Sequence, residues 1–187
     1  MSNRFEIIDA PLHGLKILQR APIRDSRGVL ERLFCADELS LLIPEQQIMQ
    51  INLTLTSKRG VVRGMHFQHP PYAEAKFVSC LRGEVFDVAV DLRRASATFL
   101  HWHAERLAAN SHKTFLIPPG FAHGFQTLTD DCELLYFHTA VYQPGAEAAV
   151  NARDPLLAIR WPENISELSS RDASHPMLTT EYRGVEL

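Results

Sequence analysis

The middle of the chain alternates apolar and polar residues with the period of a β-strand. In Glu84–Leu92 every second side chain from Phe86 onward is apolar, and Asp87 and Asp91 fall between them. Side chains two residues apart share one face of a strand, so this segment predicts a strand with one apolar and one polar face. Related patterns predict further strands, which are Met49–Leu55, Ala75–Leu81, Thr98–Ala104, Thr114–Ile117 and Glu133–Tyr142.

Turn-forming residues separate these strands at intervals of roughly ten residues, which favours an antiparallel sandwich or barrel over alternating strands and helices. Among them are Arg82-Gly83, Pro118-Pro119-Gly120 and Gln143-Pro144-Gly145. Helix is predicted only for two short segments. These are Ala36–Leu42 and Ile165–Ala173, the second with Ser166 or Ser169 as its N-cap.

Composition restricts the class of protein. With 187 residues, 45% of them hydrophobic, the chain is expected to form a single domain over residues 1–187 with a substantial core. Its formal net charge of -3 gives no basic surplus for nucleic acid, and no apolar run is long enough to cross a membrane. The N-terminus lacks the apolar stretch of a secretion signal, so export is not expected.

The cysteines agree with a reducing compartment. Cys35, Cys80 and Cys132 are odd in number, far apart in sequence and not in a Cys-x-x-Cys pair. They are interpreted as buried thiols of a cytoplasmic protein rather than as metal ligands or a nucleophile.

Two of the nine histidines occur beside glycines in contexts that could project a side chain into a barrel mouth. His66 follows Gly64 at the end of an apolar strand, and His123 lies in the turn that begins at Pro118. A surface histidine, or one hydrogen-bonded in the core, is the alternative for either residue taken alone.

The Pro-x-Gly-x-x-His element that ends at His123 resembles the second motif of the cupin superfamily, whose fold is a double-stranded jelly roll. Gly60, six residues before His66, fits the first cupin motif, but Gln68 occupies the place of that motif's second histidine. An amide is a poor substitute for a histidine ligand, so no metal is predicted. His101 and His103 share a strand face and are assigned to a solvated edge.

Two further residues allow two interpretations each. Tyr136 shares a strand face with His138 and Tyr142 and is either a core tyrosine or a group that faces a cavity. Lys76 opens its strand and is either a strand-end lysine that reaches solvent or a cation directed into that cavity.

Several segments together, in order and spacing, resemble the dTDP-4-dehydrorhamnose 3,5-epimerases and related nucleotide-sugar epimerases from about Asp25 to Pro176. They are Val62–Gln68, Lys76, Gly83–Arg93, Thr98-Phe99, Ile117–Phe125, Glu133–Tyr136, Asp154-Pro155, Trp161-Pro162 and Leu168–Asp172. The resemblance implies an all-β, cupin-type jelly roll that forms a homodimer, needs no metal or organic cofactor, and binds a nucleotide-diphosphate 4-keto-sugar. It also implies a cytoplasmic isomerase that epimerises the sugar at C3 and C5 through an enolate.

The resemblance implies a role for each matching residue. His66 is the base that removes the proton beside the ketone, Asp172 is its carboxylate partner, and Tyr136 is the acid on the opposite face. Lys76 lies near the C4 oxygen, and Tyr142 stacks on the nucleotide base. The remaining residues matched to substrate binding are Arg27, Gln50, Asn52, Arg63, His123, Glu147 and Arg171.

The chain departs from the family pattern near Arg27. Where the family has an aromatic residue and a glutamate, this sequence has Leu30 and Arg32, and Glu31 is one residue out of phase. A 3-only or 5-only epimerase that uses another nucleotide is therefore the first alternative. A metal-dependent cupin oxygenase or isomerase and a non-catalytic sugar-binding cupin are the others. In the dimer, the strands before Asn52 are expected to cross to the partner's sheet, because a jelly roll must cover its edges.

Overall fold

The chain folds into two antiparallel sheets packed face to face, as the computed structural model shows for residues 3–44 and 47–187. The predicted domain also includes Met1, Ser2, Glu45 and Gln46, which lie outside the described residues. The strands are β1 (Phe5–Asp9), β2 (Lys16–Arg20), β3 (Ile23–Asp25), β4 (Gly28–Leu30), β5 (Gln50–Thr56), β6 (Val61–Gln68), β7 (Lys76–Arg82), β8 (Glu84–Asp91), β9 (Trp102–Ala108), β10 (Lys113–Ile117), β11 (Phe121–Thr127), β12 (Cys132–His138), β13 (Glu147–Ala149) and β14 (Glu167–Leu168). The helices are α1 (Ala36–Leu39) and α2 (Ser170–Ser174).

The strand order is that of a jelly roll and confirms the predicted fold class. The first sheet has the order β1-β2-β10-β7-β12-β5, and the second has the order β13-β6-β11-β8-β9, with β14 pairing parallel to β6. Strands β3 and β4 pair with each other as a separate hairpin. No helix in the described part of the chain is long and apolar enough to cross a membrane.

Apolar side chains fill three layers. Between the sheets, Val78, Phe115 and Leu134 of the first sheet belong to one buried cluster with Phe121 and Phe125 of the second. The outer face of the first sheet is covered by α1 and the chain around it. The outer face of the second sheet is covered by the C-terminal part of the chain.

The alternation in β8 is confirmed, but its two faces have unexpected surroundings. Val88 and Val90 point outward and pack against the C-terminal segment around Val150. Asp87, which shares the other face with the core residue Ala89, is fully buried inside the molecule. The apolar face therefore lies under the C-terminal segment, and the polar face is turned toward the space between the sheets.

The strand predicted over Thr98–Ala104 is displaced, since β9 runs from Trp102 to Ala108. Ser96 and Thr98 both donate hydroxyl hydrogen bonds to Asp91 Oδ2, at 2.6 and 2.7 Å, and Leu100 has a φ of 62°. These contacts form a turn, so β9 begins later in the sequence than predicted. The assignment of His101 and His103 to one strand face is therefore wrong, because His101 precedes β9.

The strand predicted over Glu133–Tyr142 ends early, at His138. His138 pairs with Gln50 on one side and Lys76 on the other, and these are the first residues of β5 and β7. Because neither partner strand extends further, Tyr142 lies in the following loop. His123 also differs from expectation, since it lies within β11 and the preceding turn ends before Phe121.

The predicted helices are present but shorter than expected. α1 ends at Leu39 rather than Leu42. In the second segment, Glu167 and Leu168 form β14, and α2 begins after Ser169, whose side chain caps it by accepting the Asp172 N–H at 3.0 Å.

One cysteine differs from expectation, since Cys80 and Cys132 are buried thiols as predicted but Cys35 is only half-buried. Strand β2 pairs with β10 of its own chain, and β1 pairs with β2. The expected crossing of the strands before Asn52 to a partner's sheet stays a prediction. The β3–β4 hairpin has no strand neighbour among the described residues.

Candidate active site

A cavity of about 600 Å³ lies between the two sheets. Its walls come from β5, β7 and β12 of the first sheet and from β6 and β11 of the second. All the residues assigned to the site from the sequence, except Arg27, line it. They are His66, Tyr136, Asp172, Gln50, Asn52, Arg63, Lys76, His123, Tyr142, Glu147 and Arg171.

His66 and Asp172 form a hydrogen-bonded pair in the cavity wall. His66 Nε2 lies 2.7 Å from Asp172 Oδ1, and the Gly64 N–H donates to the other carboxylate oxygen at 3.4 Å. Burial opposes ionisation of Asp172, but the hydrogen bonds from His66, Gly64 and Ser169 outweigh it and hold the pKa of the carboxyl below its usual value. An ionised Asp172 accepts the Nε2–H of His66 and leaves the lone pair on Nδ1.

Two glycines bring His66 and His123 opposite each other on neighbouring strands. Gly64 has a φ of 135°, and a Cβ placed on it would lie 2.5 Å from the Cα of Gly124. A Cβ on Gly124 would in turn meet Arg63 O at 2.7 Å. Only residues without side chains allow β6 and β11 to approach so closely beside the two histidines.

His123 has a buried carboxylate partner of its own. Its Nε2 lies 2.8 Å from Asp87 Oδ1, and both side chains are almost completely buried. Burial raises the pKa of Asp87, an effect that the nearby His123 and Lys76 oppose. Two histidines of the cavity wall, His66 on β6 and His123 on β11, are therefore each paired with a carboxyl group.

Tyr136 lies on the opposite sheet from His66. Its ring is 6.0 Å from the His123 ring and 5.9 Å from the His138 ring, with which it stacks. Burial raises the pKa of Tyr136, so the phenol keeps its proton at neutral pH. A buried neutral hydroxyl is therefore present across the cavity from the His66–Asp172 pair.

Lys76 is directed into the cavity, which decides between its two interpretations. Its side chain is only 11% exposed. Nζ donates to the His66 carbonyl at 3.4 Å and lies 3.4 Å from Glu74 Oε1. The lysine is thus a buried cation held between the two sheets.

Another part of the cavity wall consists of polar and charged side chains that are joined by hydrogen bonds and one ion pair. The Tyr142 hydroxyl donates to Glu147 Oε2 at 2.6 Å, and Arg171 forms an ion pair with the same oxygen. These contacts outweigh burial and lower the pKa of Glu147. Gln50 accepts the Tyr142 N–H at 2.9 Å and donates to Asn52 at 3.1 Å.

Arg27 does not reach this cavity. It lies in the β3–β4 hairpin with its side chain 88% exposed and paired with Asp25. Glu31, which follows the hairpin, pairs with the buried Arg20 and with His112. The out-of-phase glutamate therefore ties the end of the hairpin to the chain's own first sheet.

Gln68 is already engaged by the backbone. Its amide donates to Tyr72 O at 3.1 Å and Val141 O at 3.3 Å, and its carbonyl accepts from Gln143 N at 2.7 Å. This side chain therefore fixes the loop before Glu147. Within residues 3–44 and 47–187, no three histidine, cysteine or acidic side chains are arranged to hold a metal ion.

Three residues of the site were not assigned from the sequence. Asp87 could have been found from its place on the polar face of β8, and His138 from the strand face it shares with Tyr136. Glu74 lies before β7, outside any strand pattern, and only the fold brings it beside Lys76.

Comparison with known proteins agrees with this geometry. The model of the family described as dTDP-4-dehydrorhamnose 3,5-epimerase matches residues 9–180. The dTDP-4-dehydrorhamnose 3,5-epimerase of Salmonella typhimurium is 37% identical over 173 residues, which cover 92% of this chain and 94% of the relative. The dTDP-4-dehydrorhamnose 3-epimerase of Streptomyces niveus is 41% identical over 164 residues, which cover 87% of this chain and 78% of the relative.

A solved structure gives the same result for the fold. The dTDP-6-deoxy-D-glucose-3,5-epimerase RmlC from Legionella pneumophila Philadelphia 1, in complex with dTDP-4-keto-L-rhamnose, superimposes with a TM-score of 0.87 at 38% identity and 92% coverage of each chain. The jelly roll, the residues that line its cavity and these matches over most of the chain lead to one conclusion: the chain belongs to the dTDP-4-dehydrorhamnose 3,5-epimerase family.

Proposed function

We propose that the protein epimerises a nucleotide-linked 4-keto-6-deoxyhexose at C3 and C5, as in the conversion of dTDP-4-dehydro-6-deoxyglucose to dTDP-4-dehydrorhamnose. The observation that carries this proposal is the placement of the His66–Asp172 pair and Tyr136 on opposite sheets of one cavity. Inversion at carbon needs a base on one face of the sugar and an acid on the other. The relatives from Salmonella and Legionella support the same reaction.

The first step is removal of the proton beside the ketone. Asp172 fixes the tautomer of His66, so that Nδ1 accepts the proton and the carboxylate stabilises the resulting imidazolium. The electrons of the broken C–H bond move to the C4 oxygen and form an enolate. General bases of this kind typically contribute about 10²–10⁴-fold to a rate.

The enolate needs positive charge and hydrogen-bond donors close to the C4 oxygen. Lys76 provides a buried cation, and His123, hydrogen-bonded to Asp87, provides an imidazole on the neighbouring strand. Such groups act most strongly in a dry site, where they are already oriented before the reaction.

Reprotonation on the other face is assigned to Tyr136. Burial raises its pKa, so the phenol holds its proton until the enolate forms. The proton then moves to carbon, and the nearby Arg63 stabilises the phenolate. Solvent restores the starting protonation of both His66 and Tyr136, so no redox step or organic cofactor is required.

The nucleotide diphosphate is assigned to Arg63, Arg171 and Tyr142, which all line the cavity. The two guanidinium groups suit phosphate oxygens. Tyr142 is half-exposed and can stack on a nucleotide base. Glu147 orients both Tyr142 and Arg171, while Gln50 and Asn52 provide neutral hydrogen-bonding groups.

A homodimer is part of the proposal because the structure exposes apolar side chains on the edge strand β5. Ile51, Leu53 and Leu55 are 58%, 61% and 53% exposed. An apolar sheet edge of this kind favours association with a second copy. The β3–β4 hairpin, which carries Arg27, is also exposed and can approach the partner's cavity. This would give Arg27 its expected contact with substrate.

The first alternative is an epimerase that acts at C3 alone, which the similarity to the Streptomyces niveus enzyme favours. A 5-only enzyme has no such support. A carrier nucleotide other than dTDP is a further alternative, because Leu30 and Arg32 depart from the family pattern. A cytoplasmic location stays a prediction from the three unpaired cysteines.

The test is to incubate the protein with 4-keto-6-deoxyglucose linked to dTDP, UDP or GDP, reduce the ketone chemically and identify the sugars by NMR. The proposal expects inversion at both C3 and C5 with the dTDP sugar. Inversion at C3 alone would establish the first alternative, and an unchanged sugar with all three carriers would refute the proposal. Turnover should survive a strong chelator, whereas a metal-dependent cupin would lose it.

A further inference from the structure

Glu74 and His138 lie against the cavity without a part in the reaction described so far. Glu74 precedes β7, and His138 ends β12, directly opposite Lys76 in the strand register. Glu74 Oε1 lies 3.4 Å from Lys76 Nζ, and Glu74 Oε2 lies 2.9 Å from His138 Nδ1. One carboxylate therefore bridges the cation and the imidazole.

The side chains of this bridge are largely shielded from solvent. The side chains of Glu74, Lys76 and His138 are 8%, 11% and 12% exposed. A buried carboxylate is stable only when hydrogen-bond donors and opposite charge satisfy it, and a buried ammonium needs an anionic partner. Removal of Glu74 or Lys76 would leave the other's buried charge unbalanced, and removal of His138 would take a hydrogen-bond donor from Glu74.

We propose that Glu74 is a positioning residue that fixes the ammonium of Lys76 for the reaction, and that His138 in turn holds Glu74. This inference rests on the proposed role of Lys76 at the C4 oxygen. Lysine has a long, flexible side chain, and among the described residues Nζ is held by one hydrogen bond, to the His66 carbonyl, and one ion pair, with Glu74. With Glu74 in place, Lys76 Nζ stays near β6, the strand that carries the proposed base His66.

The carboxylate has two opposing effects on catalysis. Its negative charge weakens the field of Lys76 at an enolate, and its contact with Nζ balances the buried charge and keeps the ammonium correctly placed. We expect the second effect to be larger, because an unpaired buried charge is strongly unfavourable and a displacement of about 1 Å can cost about 10²-fold in rate.

His138 also extends the contacts toward the substrate-binding residues. Its Nε2 lies 3.4 Å from Asn52 Nδ2, and Asn52 accepts from Gln50 at 3.1 Å. The tautomer that satisfies both neighbours donates from Nδ1 to Glu74 and accepts at Nε2 from Asn52. A change at His138 should therefore affect both kcat and KM, whereas a change at Glu74 should affect mainly kcat.

The chain contains a matched control for this arrangement. His103, Glu105 and Lys113 form a second bridge, with His103 Nε2 at 2.9 Å and Lys113 Nζ at 3.1 Å from the two oxygens of Glu105. The Glu105 side chain is 14% exposed, but it does not line the cavity. Glu105 faces Asp87 in the register of β8 and β9, so Glu105→Gln removes a carboxylate with partners of the same kinds that can act on the cavity only through the Asp87–His123 pair.

The experiment compares Glu74→Gln, Lys76→Met and Glu105→Gln by kcat and KM for epimerisation and by thermal unfolding. Glu74→Gln should lower kcat about 10- to 10²-fold with little change in KM, because the ammonium is misplaced while the nucleotide contacts remain. Lys76→Met should lower kcat at least as much, whereas Glu105→Gln should lower kcat much less than Glu74→Gln does and leave KM unchanged. Glu74→Asp, which keeps the charge one methylene shorter, should lie between the parent and Glu74→Gln.

A histidine series tests the second half of the proposal. His138→Leu removes the donor to Glu74, and His138→Asn retains an N–H near the same place, so His138→Asn should lose less kcat than His138→Leu. A Glu74→Gln variant with parental kcat, alongside a strongly impaired Lys76→Met variant, would overturn the inference and leave the role of Lys76 intact. Parental kcat in Lys76→Met would overturn both the role of Lys76 and the inference about Glu74. If Glu74→Gln does not fold, parental kcat in Glu74→Asp would overturn the inference in its place.

Discussion

Replacement of Tyr136 by phenylalanine separates proton exchange from inversion. The substitution removes one hydroxyl from a side chain on the opposite sheet from His66. The base, its partner Asp172 and the donors near the C4 oxygen are untouched. The variant can therefore still remove a carbon-bound proton and return one from solvent to the same face, but it lacks the acid on the other face.

The expected size of the effect follows from the role of the lost group. Loss of a general acid typically costs about 10²–10⁴-fold, which corresponds to about 2.7–5.4 kcal/mol in activation free energy. The effect on folding is smaller. The ring of Tyr136 is buried and keeps its packing against the core, so loss of the hydroxyl should change the free energy of unfolding by about 1 kcal/mol or less.

The assay measures both quantities in one sample. The variant is incubated with the 4-keto sugar in D2O, deuterium incorporation is followed by NMR, and product configuration is determined after reduction. Exchange should survive much better than inversion. If a well-folded Tyr136→Phe variant shows the parental ratio of exchange to inversion, Tyr136 has no part in the mechanism and is a core tyrosine.

Three further predictions concern the base, its partner and the dimer. His66→Ala should slow exchange at the sugar carbons about 10²–10⁴-fold, with nucleotide binding by calorimetry largely retained; near-parental turnover would exclude His66 as the base. The pKa of Asp172 is lowered in the folded protein, so its contribution to stability is present above the unfolded pKa of about 3.9 and is lost as pH falls through the lower folded value. In that pH range the Asp172→Asn variant should therefore lose less stability on acidification than the parent, with stability measured as the free energy of unfolding in urea titrations. An unchanged pH dependence would contradict the lowered pKa of Asp172. If the protein forms the proposed dimer, Leu53→Asp should convert it to monomer in sedimentation, whereas Leu156→Asp, an exposed control, should not; two dimeric variants would remove β5 from the interface.

The strands were predicted best where apolar and polar residues alternate strictly along the segment. The alternation in β8 and β5 located these strands correctly, because side chains of a strand must alternate between faces. Periodicity could not tell that the apolar face of β8 lies under the C-terminal segment. That arrangement depends on contacts with residues far along the chain, such as Val150.

The ends of the strands were predicted less well, because they depend on contacts with residues that are distant in the sequence. β12 ends at His138 since β5 and β7 provide no further residues to pair with, although its apolar sequence continues. The start of β9 is delayed by hydroxyl hydrogen bonds to Asp91, a residue from the preceding strand. Neither constraint is visible in the local pattern.

The site residues came mainly from the resemblance to the family, and the structure places most of them around one cavity. Arg27 is the exception, because one chain alone leaves the β3–β4 hairpin outside the site. Glu74 was missed because its importance arises only from its contacts with Lys76 and His138, which are brought together by the register of β7 and β12.

The most direct test of the account is a time course of the parent protein with dTDP-4-dehydro-6-deoxyglucose in D2O, followed by NMR. A single base and an acid on opposite faces predict deuterium at both C3 and C5, with inverted configuration at each labelled carbon in the released product. Deuterium at C3 alone would restrict the protein to a single epimerisation. Tight binding of the sugar with no deuterium at either carbon would contradict the assignment of His66 and Tyr136 as an acid–base pair.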